Sequence, residues 1–391
     1  MSESARREPL FTGYSGRLLL ALSIGYLGIQ FGRNVLSPLL PTIIEDLAIS
    51  PFQAGVALTL LSAAYALCMF PGGRLSDRLS RKTVLVTASV VSVVGFGLLA
   101  ITTSYPIFLL AAITVGTAAG LYWISLRALL ADLYVARRGQ AFGIQDAVGF
   151  AGPLLAAGGA IAVLAIATWR AAFFPLAVVL VVLVALSHRW INEPYVIDRV
   201  EFDLRATSLR VFGTPQIRWL VIAYTCVVFS LQAVIGFLPT FLQVDHGLSP
   251  TLASVGFGVL FCGAVVTMPV AGYLGDRTSH APVAVGGLVL GAAGLLALLF
   301  APSVQVAFAG IFFFAAGAWA FPPVIQAFLM TEFPDASMGG DFGAFKTIYA
   351  GVGSLGPAYV GLVAGIESYT LAFTGLTACL LVAILVTARV A

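Results

Sequence analysis

Lysine is almost missing from this chain: Lys82 and Lys346 are the only two in 391 residues, and all charged residues together make up 9%. A soluble domain carries about 25% charge and 45–50% apolar residues. A chain that is 60% apolar, with a mean hydropathy of +1.02, has more hydrophobic surface than a water-surrounded core of this length can hide. The lack of lysine also removes any GxxxxGK[ST] phosphate loop and with it an ATP-driven pump. HExxH and GxSxG are absent, and the three histidines, His188, His246 and His280, are scattered, so neither a metal site nor an enzyme is expected. The four cysteines, Cys68, Cys226, Cys262 and Cys379, sit singly in apolar runs without CxxC spacing and read as reduced packing residues. No cofactor is implied. The stretch 351-GVGSLG-356 fits GxGxxG by spacing alone, but it follows no strand and lies in an apolar run, so it reads as helix packing.

What the chain does have is long apolar runs. Twelve, near 18–41, 52–71, 83–102, 106–130, 141–163, 170–187, 217–239, 251–271, 282–301, 304–329, 342–363 and 369–388, reach the ~20 residues needed to cross about 30 Å of hydrocarbon as a helix. They are helices rather than barrel strands, because unpaired peptide groups are costly in lipid and no ten-residue alternation is present. The 41 glycines and 19 prolines agree with this, both being common in membrane helices. Gly28/Gly32, Gly116/Gly120, Gly287/Gly291 and Gly361/Gly365 have the spacing of close helix contacts. From the polar start MSESARREPLFTGYSGR and the length of the first run, no secretory signal is expected.

Arginines fix the expected orientation. With both termini cytoplasmic, the inner segments collect Arg6, Arg7, Arg17, the cluster 72-GGRLSDRLSRK-82, Arg137, Arg138, Arg189, Arg199, Arg205, Arg210, Arg218, Arg277 and Arg389, leaving Arg170 outside. The net charge of +3 thus reports topology and not a nucleic-acid partner. Eighteen arginines against two lysines suggest a GC-rich genome and a prokaryotic plasma membrane.

The second half of the chain repeats the first. The segment 50-SPFQAGVALTLLSAAYALCMFPGGRLSDRLSR-81 aligns with 249-SPTLASVGFGVLFCGAVVTMPVAGYLGDRTSH-280 at an offset of 199, and 149-GFAGP-153 recurs as 353-GSLGP-357. The expected organisation is a cytoplasmic tail (1–17), a six-helix bundle (18–187), a cytoplasmic linker (188–216) and a second six-helix bundle (217–391). The repeat, and G-x-L-x-D-R-x-x-R-K at Gly73, Leu75, Asp77, Arg78, Arg81 and Lys82, resemble the major facilitator superfamily of transporters. The resemblance implies an all-α membrane fold of two pseudo-symmetric six-helix bundles around a central cavity. Ser80 stands where that family usually has glycine, and Tyr273 and His280 degrade the second copy.

On this resemblance the charged cluster is a cytoplasmic gate. Basic residues hold the loop inside, and Asp77 lies against the positive end of a helix in the other half. Arg81 pairs with Asp132, and the repeat offers Asp276, Arg277, His280 and Glu332 as counterparts. The alternative is that the cluster only fixes topology.

Charges within spans point to the cargo, since each costs roughly 2.5–3.5 kcal/mol at mid-membrane. Arg33 lies about 22 Å into the first span. Tyr26, Gln30, Arg33, Asn34 and Ser37 form one stripe at helical spacing. A guanidinium there favours an anion through two-point geometry. The run 33-RNVLSPLLP-41 also resembles the first helix of the superfamily's organic-anion transporters, where an arginine contacts substrate. The alternative is that Arg33 is an ion-pair or gating residue, or snorkels outward. Lys346 with Tyr349 offers a second cationic contact, and Asp146 is either a proton carrier or the partner of a nearby cation. Tyr65, Tyr122, Trp123, Gln232, Trp319 and Gln326 complete the candidate lining on the family's architecture, each with packing as its alternative; Arg127 is a weaker candidate.

The expected function is secondary transport of a small organic anion, proton-coupled or by exchange, by a monomer in the lipid bilayer. Alternatives are a proton-driven drug or metabolite exporter, suggested by 149-GFAGPLLAAGG-159, a carrier of a neutral solute such as a sugar, and a non-transporting sensor.

Overall fold

The computed structural model describes residues 10–196, 215–332 and 338–390; the side chains of Phe70, Asp77, Asp276, Ala327, 330–332 and 338–342 lie outside the description. Among the described residues thirteen α-helices follow one another, with a short 3-10 helix (Trp169–Ala172) between the fifth and sixth: α1 (Gly13–Asp46), α2 (Pro51–Leu79), α3 (Arg81–Ala100), α4 (Tyr105–Leu133), α5 (Arg138–Ile166), α6 (Phe174–Trp190), α7 (Pro215–Val244), α8 (Pro250–Arg277), α9 (His280–Leu299), α10 (Val304–Glu332), α11 (Met338–Gly353), α12 (Gly356–Ile366) and α13 (Tyr369–Val390). No strand occurs among the described residues. Twelve spans among the described residues are long and apolar enough to cross a membrane, one of them Gly343–Ile366, built from α11 and α12. Burial separates packed faces from outward ones: Leu22, Phe96, Phe237 and Leu376 are buried, whereas Leu20, Val178, Leu274 and Leu381 are exposed. Apolar residues on both sides are what a lipid-facing helix requires.

Helix starts follow local chemistry. Pro106, Pro175, Pro250 and Pro357 lie at the first turns of their helices, where a missing N–H costs nothing. Ser249 caps α8 through its hydroxyl, which accepts from Leu252 N. Ser80 does the same for α3, accepting from Thr83 N, but with φ at 114°. That backbone region favours glycine, which accounts for the family's usual residue there; the serine hydroxyl offsets part of the strain by capping α3 and donating to Pro194 O at 2.9 Å.

The repeated GP motif has two outcomes. Pro153 lies inside an unbroken α5, while the equivalent span breaks between α11 and α12. Position 150 is Phe, but its counterpart Ser354 donates to Gly351 O at 2.6 Å, a local bond that competes with the helix ladder. The glycines serve the same end in both copies. A methyl on Gly152 would lie 2.6 Å from Gln30 Cβ of α1, and one on Gly353 would lie 2.7 Å from Val228 Cγ1 of α7.

The chain divides into two compact units, one of residues 1–36 and 64–202, the other of 37–63 and 203–391. α1 and α2 therefore each contribute to both. In the first unit Tyr122 donates to Leu22 O at 2.8 Å, tying α4 to α1. In the second, Gly291 and Gly317 let α9 and α10 approach backbone to backbone. The hairpin Ser37–Ala63 belongs to this unit through contacts with α7 and α12. Ser37 donates to Gly236 O at 2.9 Å and also to Ile235 O, Ala358 N donates to Thr59 Oγ1 at 3.0 Å, Gly55 abuts Pro357 O, and Gly361 abuts Pro51 O.

Candidate functional site

The polar stripe of α1 starts from Tyr26, which is buried with its ring against Gly149 of α5. One turn on, Gln30 is half-buried and its Oε1 has no hydrogen-bond partner among the described residues. Asn34 donates from Nδ2 to Gln30 O at 2.8 Å. Pro38 has no N–H to give the Asn34 carbonyl, which loosens the helix just beyond Arg33. Arg33 itself is half-buried, its Cζ 4.2 Å from the centroid of the Tyr65 ring. A cation over an aromatic face is held by the ring quadrupole without being neutralised. Among the described residues no carboxylate pairs with Arg33, so its charge stays available to an anion.

A second cation has a different fate. Arg127 of α4 meets Asp146 of α5 in two parallel bonds, Nη1 to Oδ1 at 3.0 Å and Nη2 to Oδ2 at 3.3 Å, with side chains 28% and 48% exposed. Its guanidinium also lies 4.5 Å from the Phe142 ring and 5.3 Å from Trp123. Gln145 is fully buried and reaches Trp123 O at 3.4 Å. Asp146 thus has a cation for a partner, an arrangement in which a proton and the guanidinium compete for one carboxylate. Tyr122 is 1% exposed and engaged with α1, the geometry of a helix tie.

In the second unit the organising residue is one that sequence reasoning missed. Tyr224 of α7 stacks on Tyr349 with centroids 4.1 Å apart and meets Phe321 and Phe345 edge-on at 5.1 and 5.6 Å. Its hydroxyl accepts from Gln326 Nε2 at 3.1 Å. Tyr349 and Gln326, both candidates from the sequence, thus come together through Tyr224. The signal was present: Tyr224 lies 198 residues after Tyr26, one short of the repeat offset. Lys346, Gln232 and Trp319 are half-buried.

At the end of α2, Arg81 Nε donates to Asp132 Oδ2 at 3.0 Å, with side chains 19% and 56% exposed, and Nη1 reaches Ser76 Oγ at 3.3 Å. Segment 191–196 folds back on this corner: Glu193 accepts from Lys82 N, Val196 N donates to Thr83 Oγ1, and the Tyr195 ring lies 4.9 Å from Lys82 Nζ. Gly73 has Ile124 at ordinary contact distance, Arg78 is exposed, and Arg277 stacks 4.5 Å over Tyr273. The side chains of Asp77, Asp276 and Glu332 lie outside the described residues, as do 1–9 and 197–214 of the expected tail and linker. His280 packs near Phe328.

A model of the Major Facilitator Superfamily matches residues 22–357, most of the chain. The chain belongs to the Major Facilitator Superfamily. It is a multi-pass membrane transporter whose fold of apolar helices is the one the repeat and the motif implied. Among superfamily relatives, an uncharacterised MFS-type transporter of Bacillus subtilis is 26% identical, with 89% of each chain covered. A hexuronate transporter of the same organism is 23% identical over 88% of this chain and 86% of its own. A class C tetracycline resistance protein of Escherichia coli is 27% identical over 84% and 85%. Among solved superfamily structures, an inward-facing bacterial homologue of the human lysosomal transporter Spinster has a TM-score of 0.83 at 17% identity, covering 97% of both chains. A D-xylose–proton symporter has a TM-score of 0.77, also at 17% identity, covering 96% and 97%. At such identities the likeness is one of fold.

Proposed function

We propose that this transporter carries a small organic anion by alternating access, with Arg33 as the contact for the anionic group. The observation that carries this reading is a half-buried guanidinium in mid-span, steadied by Tyr65 and unpaired with any carboxylate among the described residues. Retaining such a charge is costly unless it binds something. A hexuronate is an organic anion, so the name of one relative supports the same class. Gln30, whose Oε1 one turn away has no partner among the described residues, adds an acceptor for a hydroxyl of the cargo.

Asp146 is the proposed seat of proton coupling. Protonating it would dissolve the two-point bond to Arg127 and free that cation, so a proton and a local rearrangement are linked. The arginine bias supports termini in the cytoplasm, and in this reading the two bundles, joined by the linker 188–216, act as one monomeric carrier. Export of a lipophilic metabolite is the second reading, favoured by the tetracycline resistance relative. The packing of Gly152 on α1 supports a structural role for the GP motif and weakens that reading.

Counterflow into proteoliposomes tests the proposal. Radiolabelled uronates and hydroxy acids should exchange across the bilayer, while sugars and lipophilic cations should not; the reverse preference overturns it. Asp146→Asn should keep counterflow but lose uptake driven by a pH gradient.

The Arg81–Asp132 bond is proposed to act in the cytoplasmic gate. An exposed pair contributes only about 0–1 kcal/mol, so its value is in holding the α2–α3 corner on the end of α4 rather than in stability. Reversing both charges together should restore more transport than either single reversal, with the melting temperature within about 2 °C of wild type. Absence of rescue in this double-mutant cycle would remove the pair from the gate.

A further inference from the structure

We propose that the groove between the first half of α1 and α6 binds one anionic phospholipid of the leaflet next to the N-terminus. The groove, about 470 Å³, lies wholly within the first unit. Leu20 and Ile24 of α1 and Val178, Val182 and Leu186 of α6 wall it, and Arg17 and Trp190 close one end. Leu20, Ile24, Val178 and Val182 are exposed, an arrangement that water would penalise and an acyl chain satisfies. From Val178 to Trp190 the wall runs about 18 Å at 1.5 Å per residue, close to the roughly 15 Å depth of one leaflet's hydrocarbon. The site is therefore one acyl chain deep.

The charged end sets the headgroup. Arg17 is exposed, and its Nε donates to Gly13 O at 3.3 Å. Among the described residues neither terminal amino group of the fork has an acceptor, and no carboxylate pairs with it. A phosphodiester presents two oxygens to such a fork. Arg189, exposed beside Trp190, adds to the positive field, and Trp190 sits where tryptophan anchors a helix at the lipid–water boundary. The basic end is also held in shape, because Asn192 N donates to Tyr14 Oη at 3.1 Å and so ties the end of α6 to the turn of α1 preceding Arg17. A zwitterionic lipid places a choline beside its phosphate and forfeits much of this attraction. A preference of about fivefold is expected for one arginine at the surface.

The test uses the full chain in vesicles of phosphatidylcholine containing lipids brominated on their acyl chains, which quench tryptophan on contact. The Trp190 signal is isolated as the difference from Trp190→Phe. At equal mole fraction, brominated phosphatidylglycerol should quench Trp190 about fivefold more effectively than brominated phosphatidylcholine. Arg17→Gln should make the two lipids equal, Arg17→Lys should keep most of the preference, and Ala21→Phe, which fills the groove, should reduce quenching by both. Equal quenching in the wild type, or a preference that survives Arg17→Gln, overturns the proposal.

Discussion

Replacing Arg33 with glutamine is expected to weaken binding of the transported anion by about 10- to 150-fold, the equivalent of losing charge-assisted hydrogen bonds of 1.5–3 kcal/mol. The fold should not suffer. A mid-span guanidinium without a carboxylate partner among the described residues costs insertion energy, so the ligand-free melting temperature should stay level or rise. Arg33→Lys keeps the charge but loses the planar fork, and should fall between wild type and glutamine. Tyr65→Phe preserves the ring that faces Arg33 and should bind nearly normally, whereas Tyr65→Ala should lose a few-fold. Ligand-induced thermal shifts of the purified variants, titrated with the anion identified by counterflow, give the affinities. Unchanged affinity in Arg33→Gln would remove the residue from the site and take the anion reading with it.

The second large effect is expected where α2 meets α12. A side chain on Gly361 would meet Pro51 O and come within 3.0 Å of Phe52 Cα; one on Gly55 would meet Pro357 O and lie 3.1 Å from Ala358 Cα. These are backbone atoms, which cannot swing aside. Gly55→Val and Gly361→Val should therefore part the hairpin 37–63 from α12 and reduce counterflow more than tenfold, while anion affinity holds within about threefold. If the transport cycle parts and remakes this contact, a carrier that cannot close it stalls. Gly365→Val is the internal control, because nothing lies within 4 Å of its added methyl, and its transport should match wild type. If Gly361→Val transports normally, the contact is not part of the cycle.

The architecture was readable because composition alone demands it: runs of about 20 apolar residues have few uses outside a bilayer, and a repeat at constant offset divides them into halves. Arg33 stood out for the same reason, a lone charge in an apolar run. Tyr224 did not, since it is one of twelve tyrosines and 28 phenylalanines and the sequence does not say which aromatic faces meet. Arg127 and Asp146 were each visible, but their two-point bond depends on how α4 and α5 turn about their axes, and spacing along the chain does not encode that across a loop. The copies 149-GFAGP-153 and 353-GSLGP-357 diverge where Ser354 stands opposite Phe150, and the bond of that hydroxyl to Gly351 O could be recognised only in three dimensions. Ser80 ran the other way: a departure from the family pattern that the backbone angle makes intelligible.

The first amides of a helix have no carbonyl four residues back to receive them. At the start of α12 one of these orphans, Ala358 N–H, is met by the hydroxyl of Thr59, borrowed from another span. Whenever α2 withdraws, that donor is stranded inside the bilayer unless solvent follows it in, at a penalty of roughly 1–3 kcal/mol. Any opening at this end would therefore be tied to flooding: a dry crevice here would pull itself shut.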